Sequence, residues 1–183
     1  MDHPRTADSV DRDLSTWLEQ MADVHPEVEA ARQRIGRLAR LFHRTLEQVA
    51  AAERLSVSDW EALSVVVRAR GRCTPTELAS ALQLTSGTVS TRLNRLVAAG
   101  LVEVVEDADG RSRPVTVTEE GHRRWQAATA ARTRAERELF AVLSPARTDD
   151  LNRLLRTLLH HYETTLGEAP RHDVTDRSSA QSP

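Results

Sequence analysis

Between residues 74 and 118 the start and stop signals come so close together that only two short helices and a hairpin fit. Thr74-Pro75-Thr76-Glu77 opens the first helix. Thr74 caps it, Pro75 takes the first helical position, where its missing N–H costs nothing, and Glu77 reaches back to the cap. Leu78, Ala79 and Leu82 face inward. Thr85 or Ser86 caps a second helix, and Gly100 closes it in a left-handed conformation. Val102, Val104, Val115 and Val117 then alternate as half-buried strands around the turn-rich Asp107-Ala108-Asp109-Gly110. Pro114 cannot donate to a ladder, so its nitrogen side is expected to face solvent on a small, exposed hairpin.

Helical spacing governs the rest. Ser9 is placed to cap a short helix with Asp11 and Asp13 in its first turn and an apolar stripe of Val10, Leu14, Trp17, Leu18 and Met21. Pro26 opens a longer helix to about Ala52, with Ile35, Leu38, Phe42, Leu46 and Val49 at helical spacing. Arg32, Arg34, Arg37, Arg40 and Arg44 on that helix are expected to be a solvated face. Ser58 and Glu61 have capping-box spacing, which predicts a helix from Ser58 to Arg70, ended by Gly71. Thr118-Glu119-Glu120 begins a long helix to about Leu143, and Ser144-Pro145 begins another. Leu151, Leu154, Leu155, Leu158, Leu159, Tyr162 and Leu166 on the last helix form a stripe too wide for one small domain to cover, which favours a subunit interface.

The expected architecture is therefore mainly α, a winged helix-turn-helix with long N- and C-terminal dimerisation helices and a two- to three-stranded β-wing. Residues 1–27 form an N-terminal extension with a short extra helix. Residues 28–54 and 119–167 form the helical dimerisation region, 55–118 the winged helix-turn-helix, and 168–183 a tail without periodicity, read as disordered.

Charge and composition limit the partners. The 183 residues suffice for one domain with a core, and the 3% aromatic share suits a helical core of Leu, Val and Ala. The net charge of −2 argues against a globally basic nucleic-acid binder, so any DNA-binding charge must be local. All 25 cationic residues are Arg, which a GC-rich genome explains. A lone cysteine, Cys73, excludes an intrachain disulfide and points to a reducing compartment. No apolar run approaches the roughly 20 residues of a membrane span, and the acidic N-terminus lacks a signal core, so a cytoplasmic protein is expected.

The second helix of the pair carries the chemistry. Val89, Leu93, Leu96 and Val97 fall on one side; Thr88, Thr91, Asn94 and Arg95 fall on the other, with Ser86 and Ser90 also offered to solvent. Short polar residues allow close approach to a major groove. Thr and Asn can exchange hydrogen bonds with base edges, and Arg can hold guanine bidentately. Ser86 and the helix N-terminus can take a phosphate. At the hairpin tip Arg111 and Arg113 alternate onto one face, suited to the minor groove, and Asp109 can brace Arg111. From Ser86 to Arg113, however, four arginines (92, 95, 111, 113) meet four acids (103, 106, 107, 109). Phosphate affinity must then come from geometry and helix dipoles, with a modest salt slope. Double-stranded DNA is the partner this pattern implies.

This segment resembles the MarR family of bacterial winged-helix regulators. The resemblance rests on Thr76-Glu77-Leu78-Ala79, Thr88-Val89-Ser90 through Arg95-Leu96, Ala99-Gly100-Leu101-Val102, Asp109-Gly110-Arg111 and Val117-Thr118-Glu119-Glu120-Gly121, and spans about 35 to 166. It implies a homodimer on a pseudo-palindromic operator, without cofactor, with recognition helices about one DNA turn, roughly 34 Å, apart. Repression of transcription is the expected outcome. The Thr85-Ser86-Gly87-Thr88 start is similar to a branch with an extra N-terminal helix that senses small acidic metabolites such as urate. That likeness implies a small-molecule effector, a carboxylate or urate-like anion, held by Trp17, Glu61 and Arg92. The branch's second arginine position falls on Val104, which leaves the site one cation short.

Rival functions differ in the residues they need. A one-cysteine redox-sensing regulator would use Cys73, just before a helix N-cap. A winged-helix protein-interaction module without DNA binding would not need the polar face of the second helix. None of the seven histidines forms an i,i+4 pair, so no metal site is expected. No Gly-rich phosphate loop, GxSxG or HExxH occurs, so no catalytic residues are assigned and no enzyme is expected.

Overall fold

In the computed structural model, residues 7–21, 23–105 and 113–167 are described. The chain divides into two compact units, Met1–Thr45 and Leu46–Pro183.

In the first unit, α1 (Ser9–Leu18) is capped by Asp8 rather than Ser9. The Asp8 carboxylate accepts from the Val10 and Asp11 backbone, and Asp11 accepts from the Asp8 N–H at 3.0 Å. An ionised carboxylate is the stronger acceptor at the positive end of a helix, which is why Asp displaces its hydroxyl neighbour as cap. α2 (Pro26–Ala52) begins at Pro26, as its sequence dictates, and crosses into the second unit. Its arginines are not simply solvated. Arg34 bridges Asp8 (2.8 Å) and Asp11 (2.5 Å), Arg37 pairs with Asp13 (2.9 Å), and Arg32 pairs with Glu29 (2.6 Å). The acids at the start of α1 thus fasten that helix to α2.

In the second unit, α3 (Val57–Arg68) starts two residues earlier than Ser58-x-x-Glu61 predicts. Ser56 caps it, with Asp59 completing the box. Trp60 lies in its first turn and is buried with Ala62, Leu63, Val65 and Val66. α4 (Pro75–Leu82) follows its signals in full: Thr74 cap, Pro75, Glu77 box. α5 (Ser86–Ala98) is capped by Thr85 and followed by Gly100 at φ +68°.

β1 (Val102–Val104) and β2 (Val115–Val117) pair antiparallel with Val102 opposite Val117. Cys73 bridges the other side of β2 through Val115, at 2.9 and 2.8 Å. β2 therefore lies between two partners. This corrects the expectation for Pro114. Its ring is fully buried, and its carbonyl accepts from Val105 N–H at 2.8 Å, so its nitrogen side faces β1 and not solvent.

α6 (Glu119–Phe140) is fastened to the end of α5. The Thr118 hydroxyl donates to the Gly100 carbonyl (2.7 Å) and the Thr118 N–H to the Leu101 carbonyl (3.1 Å). Gly121 sits so close that a Cβ there would lie 1.9 Å from the Leu101 oxygen. The spacing of Thr118 and Gly121 is thus a contact requirement. Two indoles join α3 to α6: Trp60 Nε1 donates to Thr129 Oγ1 (3.0 Å), and Trp125 Nε1 to Ser64 Oγ (2.8 Å). The core gathers Leu55, Trp60, Leu63, Val66, Leu78, Val89, Leu96 and Val102. α7 (Pro145–Leu166), capped by Ser144, buries no residue.

Candidate nucleic-acid interface

α4 and α5 are held as a pair by a turn at Gln83, a left-handed residue at φ +49° whose conformation ends α4. Leu84 N–H then bonds the Ala79 carbonyl at 3.0 Å. Val89, Leu93 and Leu96 anchor one side of α5 in the core. That anchoring leaves Ser86, Gly87, Thr88, Ser90, Thr91, Asn94 and Arg95 exposed, the side that the helical period predicts. Val97 is the exception on the apolar side, at 40% exposure. The Thr91 hydroxyl bonds its own helix at Gly87 (3.1 Å), and the Thr88 and Thr85 hydroxyls meet at 2.9 Å. These bonds restrain the hydroxyls of two short, exposed side chains.

Arg95 is not a free fork. Its Nη2 bonds the Asp59 carboxylate and donates to Ser58 Oγ at 3.1 Å. Its side chain is still 55% exposed, against 14% for Asp59. Burial pushes the Asp59 carboxyl up, but hydrogen bonds from Ser56 and then the Arg95 guanidinium outweigh it and hold it below the ordinary carboxylate range. The pair is therefore ionised at neutral pH. Sequence reasoning missed Asp59 because it took the overlapping Ser58–Glu61 box. The clue was Ser56-Val57-Ser58-Asp59, an equally good box.

Arg92 and Glu61 do come together, with Nη1 3.7 Å from the carboxylate. That Nη1 is buried without a hydrogen-bond partner among the described residues. A hollow of about 450 Å³ lies alongside, lined by Ser58, Gly87, Thr88, Thr91, Arg92 and Arg95. Trp17, the third residue of the expected effector site, is in the first unit and 54% exposed. Arg113 is exposed beside the buried Pro114. Asp109 and Arg111 lie outside the described residues. Cys73 is fully buried, with its backbone in the bridge to Val115. Among the described residues no group of His, Cys, Asp and Glu could hold a metal, and no helix is long and apolar enough to cross a membrane.

Comparison with known proteins agrees with this geometry. A MarR family model matches residues 55–112. The HTH-type transcriptional regulator PecS of Dickeya dadantii (strain 3937) is 26% identical over 168 residues, covering 90% of this chain and 94% of the relative. Among solved structures, a MarR family transcription regulator superposes with a TM-score of 0.70 at 20% identity, over 85% of this chain and 99% of the other. A Cys-to-Ser variant of MarR from E. coli, solved in complex with operator DNA, gives a TM-score of 0.61 at 22% identity, over 75% and 99%. At those identities the two structures establish the fold.

Proposed function

We propose that this chain is a homodimeric, operator-binding transcriptional regulator of the MarR family, a repressor relieved by a small acidic ligand; the family model over residues 55–112 supports that reading. One observation carries the DNA reading. The exposed side of α5 offers short hydroxyl and amide side chains with no acid among them, and one arginine at its far end. Such a face can approach base edges closely, and its helix N-terminus adds a favourable field for phosphate. Ser86 and Thr88 serve phosphate at the helix start, while Ser90, Thr91, Asn94 and Arg95 face the groove. Arg111 and Arg113 are the residues assigned to the flanking minor groove, with Asp109 as the partner of Arg111.

The homodimer is supported by α7. Leu154, Leu155, Leu158, Leu159, Tyr162 and Leu166 are each at least 41% exposed, a continuous apolar row on a helix that buries nothing. A row of that kind is stable in water only when covered. Two copies would set two α5 helices against successive major grooves of a pseudo-palindrome. The work assigned to the chain is binding, with no reaction and no cofactor. For the acidic ligand, Trp17, Glu61 and Arg92 remain the residues that family likeness points to, and Arg92 on the flank of α5 would couple a ligand to the reading helix.

The test is a salt-titrated shift assay on the promoter region beside the protein's own gene. Arg95→Ala should cost about 1–3 kcal/mol and relax base preference, with the dimer intact. Unchanged binding by Arg95→Ala and Arg111→Ala together would favour a protein-interaction module. Release by a small carboxylate is expected; release by peroxide that Cys73→Ser abolishes would replace the acidic ligand with a redox signal.

A further inference from the structure

Most glycines among the described residues have a reason inside the fold. Gly71, Gly100 and Gly167 have positive φ, where a side chain is strained. Gly121 is pressed against the Leu101 carbonyl. Gly36 has the end of the Arg40 side chain over it, 3.5 Å from where a Cβ would stand. Gly87 is different. It lies in the first turn of α5 without a positive φ, and a Cβ there would meet nothing within 4 Å. Glycine loses more freedom on folding than alanine and weakens a helix. No contact among the described residues offsets that loss.

The place of Gly87 on the helix supplies an external reason. Gly87, Thr91 and Arg95 are spaced by four, so they share one row on α5. All three are exposed, and all three line the hollow of about 450 Å³ that α5 shares with Ser58 of α3. The row begins with no side chain. It continues with a threonine whose hydroxyl donates back to the Gly87 carbonyl at 3.1 Å, and it ends on a long arginine. Its profile is therefore low at the start of α5 and high at the end. A recognition helix in a major groove contacts base edges with its N-terminal residues. The low end of the row is the end that must come closest to the bases.

We infer that Gly87 is a specificity-determining residue: its missing side chain lets the backbone of the first turn of α5 rest in van der Waals contact with the base edges of a half-site, which brings Thr91 within reach of them. The inference deepens the proposed operator binding and rests on it. The free protein is less stable for having glycine there, and an alanine would hold the bases off by one methyl group.

The test compares Gly87→Ala, Gly87→Leu and the control Gly36→Ala in the full chain. Thermal unfolding is measured, together with fluorescence anisotropy on two duplexes: the promoter region beside the protein's own gene, and a scrambled duplex of the same length and composition. Gly87→Ala should raise Tm by about 1–4 °C. It should weaken promoter binding about tenfold, the size of a mismatched base pair, and scrambled binding by less than about twofold. Gly87→Leu should weaken promoter binding further, and Gly36→Ala should leave the preference for the promoter unchanged. Unchanged promoter affinity in Gly87→Ala would overturn the inference, as would an equal loss in Gly36→Ala. A Gly87→Ala loss that is equal on both duplexes would overturn it by placing the contact on the sugar–phosphate backbone. A lower Tm in Gly87→Ala would overturn it by giving the glycine a reason inside the fold. A natural chain that binds both duplexes equally would defeat the operator reading itself, and the inference with it.

Discussion

Arg95 and Asp59 form the most consequential pair of side chains on the candidate interface. An exposed ion pair contributes little stability, so its effect belongs to binding. Asp59 is mostly buried and stays where it is, and Arg95 must share its guanidinium between that carboxylate and any DNA. Contact with phosphate alone is weakened by the acid, whereas a guanine edge can use donors that Asp59 does not hold. Asp59→Asn should therefore raise affinity for non-specific duplex by about twofold to tenfold and steepen its salt dependence by about one counterion. Fluorescence anisotropy across a salt series measures both, and parallel losses on specific and random DNA would contradict the idea. Gly121 makes a separate prediction for stability. A methyl group there meets the Leu101 carbonyl at 1.9 Å, backbone against backbone, so Gly121→Ala should cost about 3 kcal/mol in urea unfolding. Neither residue's role is visible from composition. Gly121 could be found as part of the Thr-Glu-Glu-Gly run, but its reason is a contact with a residue twenty positions earlier.

At the scale of elements, legibility followed the number of agreeing signals. The start of α4 was legible to the residue because cap, proline and box coincide at Thr74, Pro75 and Glu77. α3 was misplaced at its start because two capping boxes, Ser56–Asp59 and Ser58–Glu61, overlap in the sequence. β2 was legible as a strand, but its second partner at Cys73 was not, since a single-residue bridge leaves no pattern. The exposed side of α5 was readable from helical period, whereas the hold of Asp59 on Arg95 joins positions far apart in sequence. The fastening of α1 to α2 was illegible for the same reason: Asp8, Asp11 and Asp13 look like helix-start acids, and Arg34 and Arg37 like a wet face. That fastening titrates. The Arg34 guanidinium lowers Asp8 to about 2, and the Asp8 N–H and Arg34 lower Asp11. A carboxyl whose folded pKa lies below its unfolded value near 4 contributes stability above that value and loses it as pH falls. The attachment of α1 should hold unchanged from neutrality to about pH 5 and fail between about pH 4 and pH 2. Hydrogen exchange of α1 amides across that range should show it, with Arg34→Gln already unprotected at pH 7. Protection that persists equally in Arg34→Gln would mean that apolar packing, not these pairs, holds α1.

For the whole molecule, the apolar row on α7 is the feature that a single chain leaves unexplained. Leu154 and Leu158 follow one another at the spacing of a helix ridge, and both stay largely exposed. Burying side chains of this size is worth about 1.5–3 kcal/mol each, enough in combination to hold two copies together. Leu155→Arg with Leu158→Arg should yield a folded monomer by sedimentation velocity, with helix content kept and operator affinity lost. A dimer that survives both substitutions would place the interface elsewhere. The central claim is that two α5 helices, one from each copy, read two half-sites one DNA turn apart. The most direct test is binding of the full chain to its operator with five base pairs inserted between the half-sites, with stoichiometry read in the same titration. Two chains per uninterrupted site, with affinity collapsing on the half-turn insertion, is the predicted result. One chain per site, or binding indifferent to the insertion, would contradict it.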